Sequence, residues 1–246
     1  MRWKCKCVYD GTDFTGWQRQ HAGSSVQNIL EDSLRKIFKT ETLIHGSGRT
    51  DAGVHANGQI FHFDGEWAHS SESLERALQC CLPETIHVSS IEMVANDFHA
   101  RYWVKRKVYE YHIYDGIAPP KDTRFMWSSG KHAINVEAMI DASKVFVGEH
   151  DFTAFSAVAK PVGTPVNPIK TIYSVDFSSE RNATVVRIEG GGFLYKMVRR
   201  LVGGLVAVSE GKLNIEKLRA ILEGKERVNE IITMPAKGLF LEKVIY

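Results

Sequence analysis

Residues 24–38, Ser-Ser-Val-Gln-Asn-Ile-Leu-Glu-Asp-Ser-Leu-Arg-Lys-Ile-Phe, combine a helix start signal with apolar residues at helical spacing. Ser24-Ser25-Val26-Gln27 fits a capping box, and apolar side chains then recur every three or four residues up to Phe38. The neighbouring segments predict, in chain order, a strand at residues 3–9, a strand through 59–63, a helix over about 73–81 and a strand near 86–93. This alternation of strands and helices is the split β-α-β pattern of ferredoxin-like folds.

The second part of the chain repeats the theme. Its pattern predicts a strand at 108–114, a helix at 136–147, strands at 169–177 and 183–189, helices at 193–206 and 215–222, and a last strand at 239–245. Pro161, Pro165 and Pro168 bracket a loop, and Gly203-Gly204 inside a helix suggests close packing against another element. We therefore expect an α+β protein made of two ferredoxin-like halves with adjoining, mainly antiparallel sheets and an active-site cleft between them. The expected domains are residues 1–102 and residues 103–246.

Composition places the chain among ordinary globular proteins. Its 246 residues are 43% hydrophobic and 24% charged, and no stretch approaches the roughly 20 apolar residues that span a bilayer. The first seven residues contain no apolar run typical of a signal peptide, so we expect a cytoplasmic protein without a membrane partner. The spacings of Cys5/Cys7 and Cys80/Cys81 are not those of zinc pairs, which favours buried or half-buried free thiols.

Charge is distributed unevenly along the chain. The net charge is only +2, but residues 98–246 contain 22 lysines and arginines against 16 acidic residues, whereas residues 1–97 contain 9 against 13. Basic side chains cluster at Arg101 to Lys107 and at Lys196 to Arg200. Such clusters are typical of contacts with nucleic-acid phosphates, although a solvated charged face has the same pattern.

The segment Gly46-Ser-Gly-Arg-Thr-Asp-Ala-Gly-Val-His55 places a guanidinium and a carboxylate two residues apart among glycines. A dinucleotide-binding loop needs glycine where Asp51 stands, and the Gly-Lys-Ser/Thr ending of a P-loop is absent. Two interpretations remain: a tight turn in which Asp51 bonds its own backbone, or a loop that presents Asp51 to a ligand with Arg49 facing an anion.

Six ordered motifs resemble those of the TruA family of tRNA pseudouridine synthases. They span nearly the whole chain and comprise Tyr9–Gln20, Gly48–Ala56, Phe98–Arg101 with Tyr109–Tyr111, Gly148–Phe152, Gly192–Arg199 and Pro235–Tyr246. The resemblance implies the two-half fold and an isomerase that converts uridine to pseudouridine in the anticodon stem-loop, at positions 38–40 of tRNA. It also implies a homodimer in which both chains contact one tRNA.

The reaction breaks the N1–C1′ bond of a uridine, turns the base and rejoins it through C5. It needs a carboxylate against the nucleoside and a base taken out of its stack, but no redox cofactor or metal. We expect Asp51 to be that carboxylate. Attack on the base and proton removal from C2′, with a glycal intermediate, both remain open.

Four further residues are expected to bind substrate. The resemblance makes Arg49 the residue that fills the space of the flipped base, and Tyr109 shares a strand face with Tyr111, from which its ring can stack on uracil or line the core. Arg199 lies at the edge of an apolar helical stripe, from where it could pair with Asp51 and keep it ionised. Lys107 stands where the family usually has arginine; lysine keeps the charge but loses the bidentate fork, so its role is open.

Two other functions are consistent with the sequence. A ferredoxin-like module could bind tRNA without catalysis, although such a binder has no need of a buried acid. A family member could also be directed to ribosomal RNA.

Overall fold

A computed structural model describes residues 1–21, 24–130, 133–157, 167–180 and 183–246, with only the backbone of Glu180. The chain divides into two compact units, Met1–Lys105 with Phe240–Tyr246 (unit 1) and Arg106–Leu239 (unit 2). The last seven residues thus belong with unit 1, whereas the expected second domain ran to residue 246. The division into domains 1–102 and 103–246 remains a prediction.

Helices and strands alternate along both units. The helices are α1 Val26–Phe38, α2 Ser71–Cys81, α3 Val136–Ser143, α4 Met197–Ser209 and α5 Ile215–Gly224. The strands are β1 Arg2–Tyr9, β2 His45–Gly46, β3 His55–Asp64, β4 Ile86–Val94, β5 Arg106–Tyr114, β6 Trp127–Ser128, β7 Gly148–Asp151, β8 Ile169–Glu180, β9 Ala183–Gly190 and β10 Leu239–Ile245. The fold is therefore mixed α and β, with mostly antiparallel strand pairs.

The sheet of unit 1 has β1 between β4 and β3, with β2 on the other side of β3, all antiparallel. Alternate residues of β1 are buried, from Trp3 to Tyr9, because successive side chains of a strand point to opposite faces. Residues Phe240 and Leu241 of β10 pair in parallel with His55 and Ala56 of β3.

Helix α1 starts one residue later than the capping-box prediction. The side chain of Ser25, not Ser24, accepts a hydrogen bond from the Asn28 backbone N–H at 3.2 Å and satisfies one of the otherwise unpaired amides of the first turn. Gln27 therefore lies inside the helix. Its side chain carbonyl accepts hydrogen bonds from the loop that precedes the helix.

In unit 2, β5, β9, β8 and β7 pair in that order, each antiparallel to its neighbour, and β6 runs parallel to β5. The close packing expected at Gly203-Gly204 is confirmed, since a Cβ on Gly203 would lie 2.1 Å from the Ile232 carbonyl oxygen. The buried face of α4 includes Leu201, Val202 and Leu205.

Three sequence predictions need correction. Helix α4 begins at Met197, not Phe193, because Lys196 has a left-handed backbone (φ 59°) that interrupts helical geometry. The helix expected over 136–147 ends at Ser143 and continues as a short 3-10 turn. All four cysteines are free thiols, but Cys80 is exposed rather than buried or half-buried. Pro161 and Pro165 of the expected loop lie outside the described residues.

Candidate active site

Asp51 lies in the loop between β2 and β3, half-buried, with Arg49 exposed beside it. A hydrogen bond from the Val54 N–H to the Asp51 carbonyl oxygen (3.1 Å) closes a tight turn, in which Gly53 has a φ of 76°. Only glycine adopts such a φ at little cost, which explains a glycine at this point of the loop. A tight turn is therefore present, as one of the two sequence interpretations expected, and the Asp51 side chain is half-buried in it.

Residues of the opening motif, Tyr9–Gln20, pack against this loop and form hydrogen bonds with it. Gly16 (φ 98°) lies so close that a Cβ there would be 2.7 Å from the Thr50 carbonyl oxygen and 3.1 Å from the Asp51 carbonyl carbon. The Trp17 N–H donates to the Thr50 carbonyl oxygen at 3.1 Å, and the hydroxyls of Tyr9 and Thr50 are hydrogen-bonded at 2.7 Å. The residue just before Asp51 is thus bonded through both its side chain and its backbone.

The C-terminal end of the loop packs on Gly11. A Cβ at Gly11 would lie 1.9 Å from the Val54 carbonyl oxygen, so only glycine fits beneath this peptide. The Gly11 N–H donates to Nδ1 of the buried His55 at 3.0 Å, which makes that ring nitrogen an acceptor. The carboxylate of Asp10 lies 3.2 Å from the same nitrogen and accepts hydrogen bonds from the backbone and hydroxyl of Thr12.

The N-terminal end of the loop is held by a buried amide. Gln59, fully buried on β3, accepts a hydrogen bond from the Ser47 hydroxyl at 2.6 Å and donates from Nε2 to the Gly48 carbonyl oxygen at 2.9 Å. The loop is thus held by the Gln59 hydrogen bonds at its N-terminal end, by Gly16 in its middle and by Gly11 at its C-terminal end. Such preorganisation is what a catalytic group needs, because a displacement of about 1 Å can lower a rate ~10²-fold.

Arg49 is exposed, and its Nε donates to the Gln18 side chain oxygen at 3.0 Å. Gln18 in turn donates to the Gln27 oxygen at 2.9 Å near the start of α1. The guanidinium is therefore oriented by a relay of two amides while its surface remains accessible. A planar donor fork held in this way suits contact with an RNA phosphate or base edge.

Tyr109 and Lys107 lie on β5 in unit 2. Tyr109 is 7% exposed, and its ring meets Phe193 edge to face with the centroids 5.1 Å apart. Lys107 pairs across the sheet with Gly190, where a Cβ would lie 2.9 Å from the Phe193 ring. Phe193 was not expected as a site residue, although its place after three glycines was a signal that a turn would bring it back to this strand.

Tyr111, two residues further on β5, contacts Pro235 and Gly238 near the C-terminal end of unit 2. Burial raises the pKa of its hydroxyl above the ordinary value of 10, so the group stays protonated and donates to the Pro235 carbonyl oxygen at 2.9 Å. A Cβ on Gly238 would lie 2.8 Å from the same ring. Tyr111 is a packing residue, in contrast to the expected role of its neighbour Tyr109.

Arg199 lies half-buried in the first turn of α4. Its Nε donates to the Met234 carbonyl oxygen at 2.6 Å, and the Met234 N–H donates back to the Arg199 carbonyl oxygen at 3.3 Å. Its position at the edge of the apolar face of α4 agrees with the sequence pattern.

Arg200 was expected to be a phosphate contact or a solubilising residue. It is half-buried, with Nη2 donating to the Ala154 carbonyl oxygen at 3.3 Å, and burial lowers its pKa below the ordinary value. One side of the guanidinium is thus engaged within unit 2, and its contact with phosphate stays a prediction.

The five expected site residues belong to two units. Asp51 and Arg49 share one loop of unit 1, whereas Tyr109, Lys107 and Arg199 belong to unit 2. Pairing between Asp51 and Arg199 stays a prediction. Within the described ranges no group of three or more His, Cys, Asp or Glu side chains could hold a metal ion. In the same ranges no helix combines the length and apolar character that a membrane crossing requires.

Comparison with known proteins agrees with these observations. The family described as tRNA pseudouridine synthase matches residues 7–103 and 142–246. The chain is 39% identical to tRNA pseudouridine synthase A of Thermodesulfovibrio yellowstonii, covering 99% of this chain and 98% of the relative. It is 40% identical to the protein of the same name in Streptococcus equi, covering 100% and 98%.

Among solved structures, a chain in a Cbf5-Nop10-Gar1 complex aligns with 83% of this chain and 45% of its own length. The identity is 12% and the TM-score 0.36, a likeness too low to bear on the fold. The family match and the relatives extend over most of the chain, and the protein therefore belongs to the tRNA pseudouridine synthase family.

Proposed function

We propose that this protein isomerises uridine to pseudouridine in the anticodon stem-loop of tRNA, at positions 38–40, with Asp51 as the catalytic carboxylate. The observation that carries the proposal is the loop of Asp51, which is held by Gly16, Trp17 and Gln59 and closed by its own turn. A module that only binds RNA has no need to fix one carboxylate so firmly. Membership of the family supports the same reaction.

The chemistry requires few groups. The N1–C1′ bond of uridine breaks, the base turns, a C5–C1′ bond forms, the proton on C5 passes to solvent and N1 gains a proton. The overall change is an isomerisation, so no oxidant, reductant or cofactor is consumed. Asp51 acts either as the nucleophile or as the base at C2′, and both routes begin from the ionised carboxylate.

The other four residues bind the substrate in this proposal. Arg49 fills the space of the flipped base and contacts phosphate, and Tyr109 stacks on the uracil with its ring steadied by Phe193. Arg199 pairs with Asp51, and Lys107 supplies positive charge where the family usually has arginine.

The finer architecture is part of the proposal as well. Two ferredoxin-like halves are supported in unit 1 by the strand order β4-β1-β3 with β2 beside β3, and in unit 2 by α3 between β5 and β8. We also propose a cytoplasmic homodimer in which both chains contact one tRNA. Light scattering at micromolar concentration tests the dimer, since a single 27.7 kDa species that is active on tRNA would exclude it.

Replacement of Asp51 tests the catalytic role. Asp51→Asn keeps the shape of the side chain and removes its charge, so we expect tritium release from C5-labelled uridine in tRNA to fall below a few per cent of the wild-type rate. Thermal unfolding and tRNA affinity should stay close to wild type. The matched control is Asp32→Asn, which removes an exposed carboxylate that pairs with Arg35 on the surface of α1.

The outcomes separate the alternatives. Substantial activity in Asp51→Asn would remove Asp51 from catalysis, and wild-type protein that binds tRNA without tritium release would be a binding module. Mapping of pseudouridines in total RNA from a deletion strain distinguishes tRNA from ribosomal RNA. Loss of sites in ribosomal RNA alone would overturn the proposed substrate.

A further inference from the structure

Two neighbouring aromatic side chains of unit 1 are unusually exposed. Tyr102 is 75% exposed and Trp103 46%, directly after the exposed Arg101. Burying side chains of this size would contribute about 1.5–3 kcal/mol each, so a sequence that leaves two of them together in solvent calls for an explanation. Segment 99–103, here called the aromatic turn, has no role in the chemistry assigned to Asp51.

The backbone of the aromatic turn is fixed by hydrogen bonds to side chains. His99 Nδ1 accepts from the Arg101 N–H at 3.1 Å, and the His99 carbonyl oxygen accepts from the Trp103 N–H at 3.1 Å. The Ala100 peptide is held on both sides, by His62 Nδ1 at 3.1 Å from its N–H and by the Tyr246 hydroxyl at 2.8 Å from its carbonyl oxygen. The turn is therefore a built structure and not a loose loop whose aromatics happen to point outwards.

The Tyr102 ring is also held in place. It lies against His99 with the centroids 4.2 Å apart and the planes tilted by 31°, and His99 rests edge to face on the buried His62 at 4.7 Å. Tyr102 is thus supported on one side by ring contacts that reach the interior, while three quarters of its surface stays exposed. Trp103 is steadied in the same way by Phe98, at 5.5 Å.

The charge around the turn is positive. The Arg101 guanidinium lies over the Tyr102 ring, 5.9 Å from its centroid, and in the described part of the chain no ion pair links Arg101 or the exposed Lys105 to a carboxylate. The nearby acids Asp64 and Glu92 are paired with Arg2 and Lys4. Asp97 is also close, exposed and two residues before the turn. An exposed aromatic ring beside these cations matches a nucleotide, whose base stacks and whose phosphate is anionic.

We propose that the aromatic turn binds one unpaired nucleotide of the RNA substrate, in addition to the uridine that Asp51 acts on. The base stacks on the exposed ring of Tyr102, Trp103 borders it, and Arg101 pairs with its phosphate. The proposal rests on the proposed function in one respect, namely that the ligand is RNA.

Replacement of Tyr102 tests the stacking. Tyr102→Ala should weaken tRNA binding ~10-fold, the range found for base stacking on an aromatic ring, whereas Tyr102→Phe should bind within twofold of wild type because it keeps the ring. Met93→Ala, which shortens a side chain of unit 1 that is 63% exposed, is the control and should bind as wild type does. Arg101→Gln should also reduce the dependence of affinity on salt by about one counterion.

Binding is measured by fluorescence anisotropy of labelled tRNA at fixed salt, with thermal unfolding and light scattering for each variant. Tyr102→Ala within twofold of wild type would overturn the proposal. A Tyr102→Ala variant that binds tRNA with wild-type affinity but has a changed molar mass would also overturn it. That result would identify the aromatic turn as a self-association surface. Failure of the proposed function would be seen separately, as wild-type protein that binds tRNA without releasing tritium. The comparison of the Tyr102 variants with wild type would remain valid in that case.

Discussion

Gly11→Ala should impair catalysis through the position of the Asp51 loop. The added Cβ would lie 1.9 Å from the Val54 carbonyl oxygen, whereas ordinary contacts begin at 3.4 Å, so the loop must move by about 1.5 Å. Overpacking of this kind costs ~2 kcal/mol, which lowers the Tm of a chain of this size by about 4–8 °C. A catalytic group displaced by about 1 Å loses ~10²-fold in rate, so the loss of activity should exceed the loss of stability.

Single-turnover tritium release, measured well below the Tm of the variant, separates the two effects. The control is Gly224→Ala at the end of α5, where an added Cβ meets nothing within 4 Å. We expect wild-type turnover and an equal or slightly higher Tm for the control, because alanine favours helix over glycine. Wild-type turnover and Tm in Gly11→Ala would refute the argument that the loop depends on close approach at Gly11.

Three further outcomes are expected. Gly203→Ala should lower the free energy of unfolding in urea by ~2 kcal/mol, since its Cβ would meet the Ile232 carbonyl oxygen at 2.1 Å; an unchanged midpoint would contradict this. Burial, together with the facing His45, His99 and Arg2, lowers the pKa of His62 from 6.5 to about 4 against the opposing effect of Asp64. The unfolded chain therefore binds the proton more tightly, so ~3 kcal/mol of stability present above pH 6.5 is lost as the pH falls towards 4, and His62→Gln should flatten this slope in urea titrations. Activity should survive EDTA and dialysis when the tRNA is kept folded, and a loss that zinc restores under those conditions would show a metal requirement.

The local sequence pattern was sufficient to predict the helices and strands that have one clearly apolar and one clearly polar face. The alternation in β1 and the last strand, Leu239–Ile245, follow from the period of two in a half-buried strand. The start of helix α4 was misjudged because Phe193 and Leu194 extend its apolar pattern. The left-handed backbone of Lys196 makes the helix begin at Met197, and Phe193 contacts Tyr109 outside the helix. At residues 193–196 tertiary contacts override the helical sequence pattern.

The candidate site shows the same division. The order of small and charged residues in the loop singled out Asp51 and Arg49. The reason why Tyr9, Gly11 and Gly16 accompany them came only from the structure, because these residues contact the loop across some forty positions of sequence. Arg200 could not be distinguished from a surface arginine, because its hydrogen bond to the Ala154 carbonyl oxygen joins residues 46 positions apart in the sequence.

Unit 1 is discontinuous in sequence, and this has a consequence during synthesis. Its first 105 residues leave the ribosome before unit 2, but the residues that pair with His55 and Ala56 come only after residue 239. At about 5–20 residues per second, residues 106–239 take roughly 7–27 s to translate. For that interval the edge of β3 that carries the end of the Asp51 loop has no β10 beside it, and an unpaired edge invites association with other chains. A ribosome that stalls anywhere in unit 2 therefore displays the Asp51 loop without its neighbouring strand, which makes such stalled chains natural clients for chaperones.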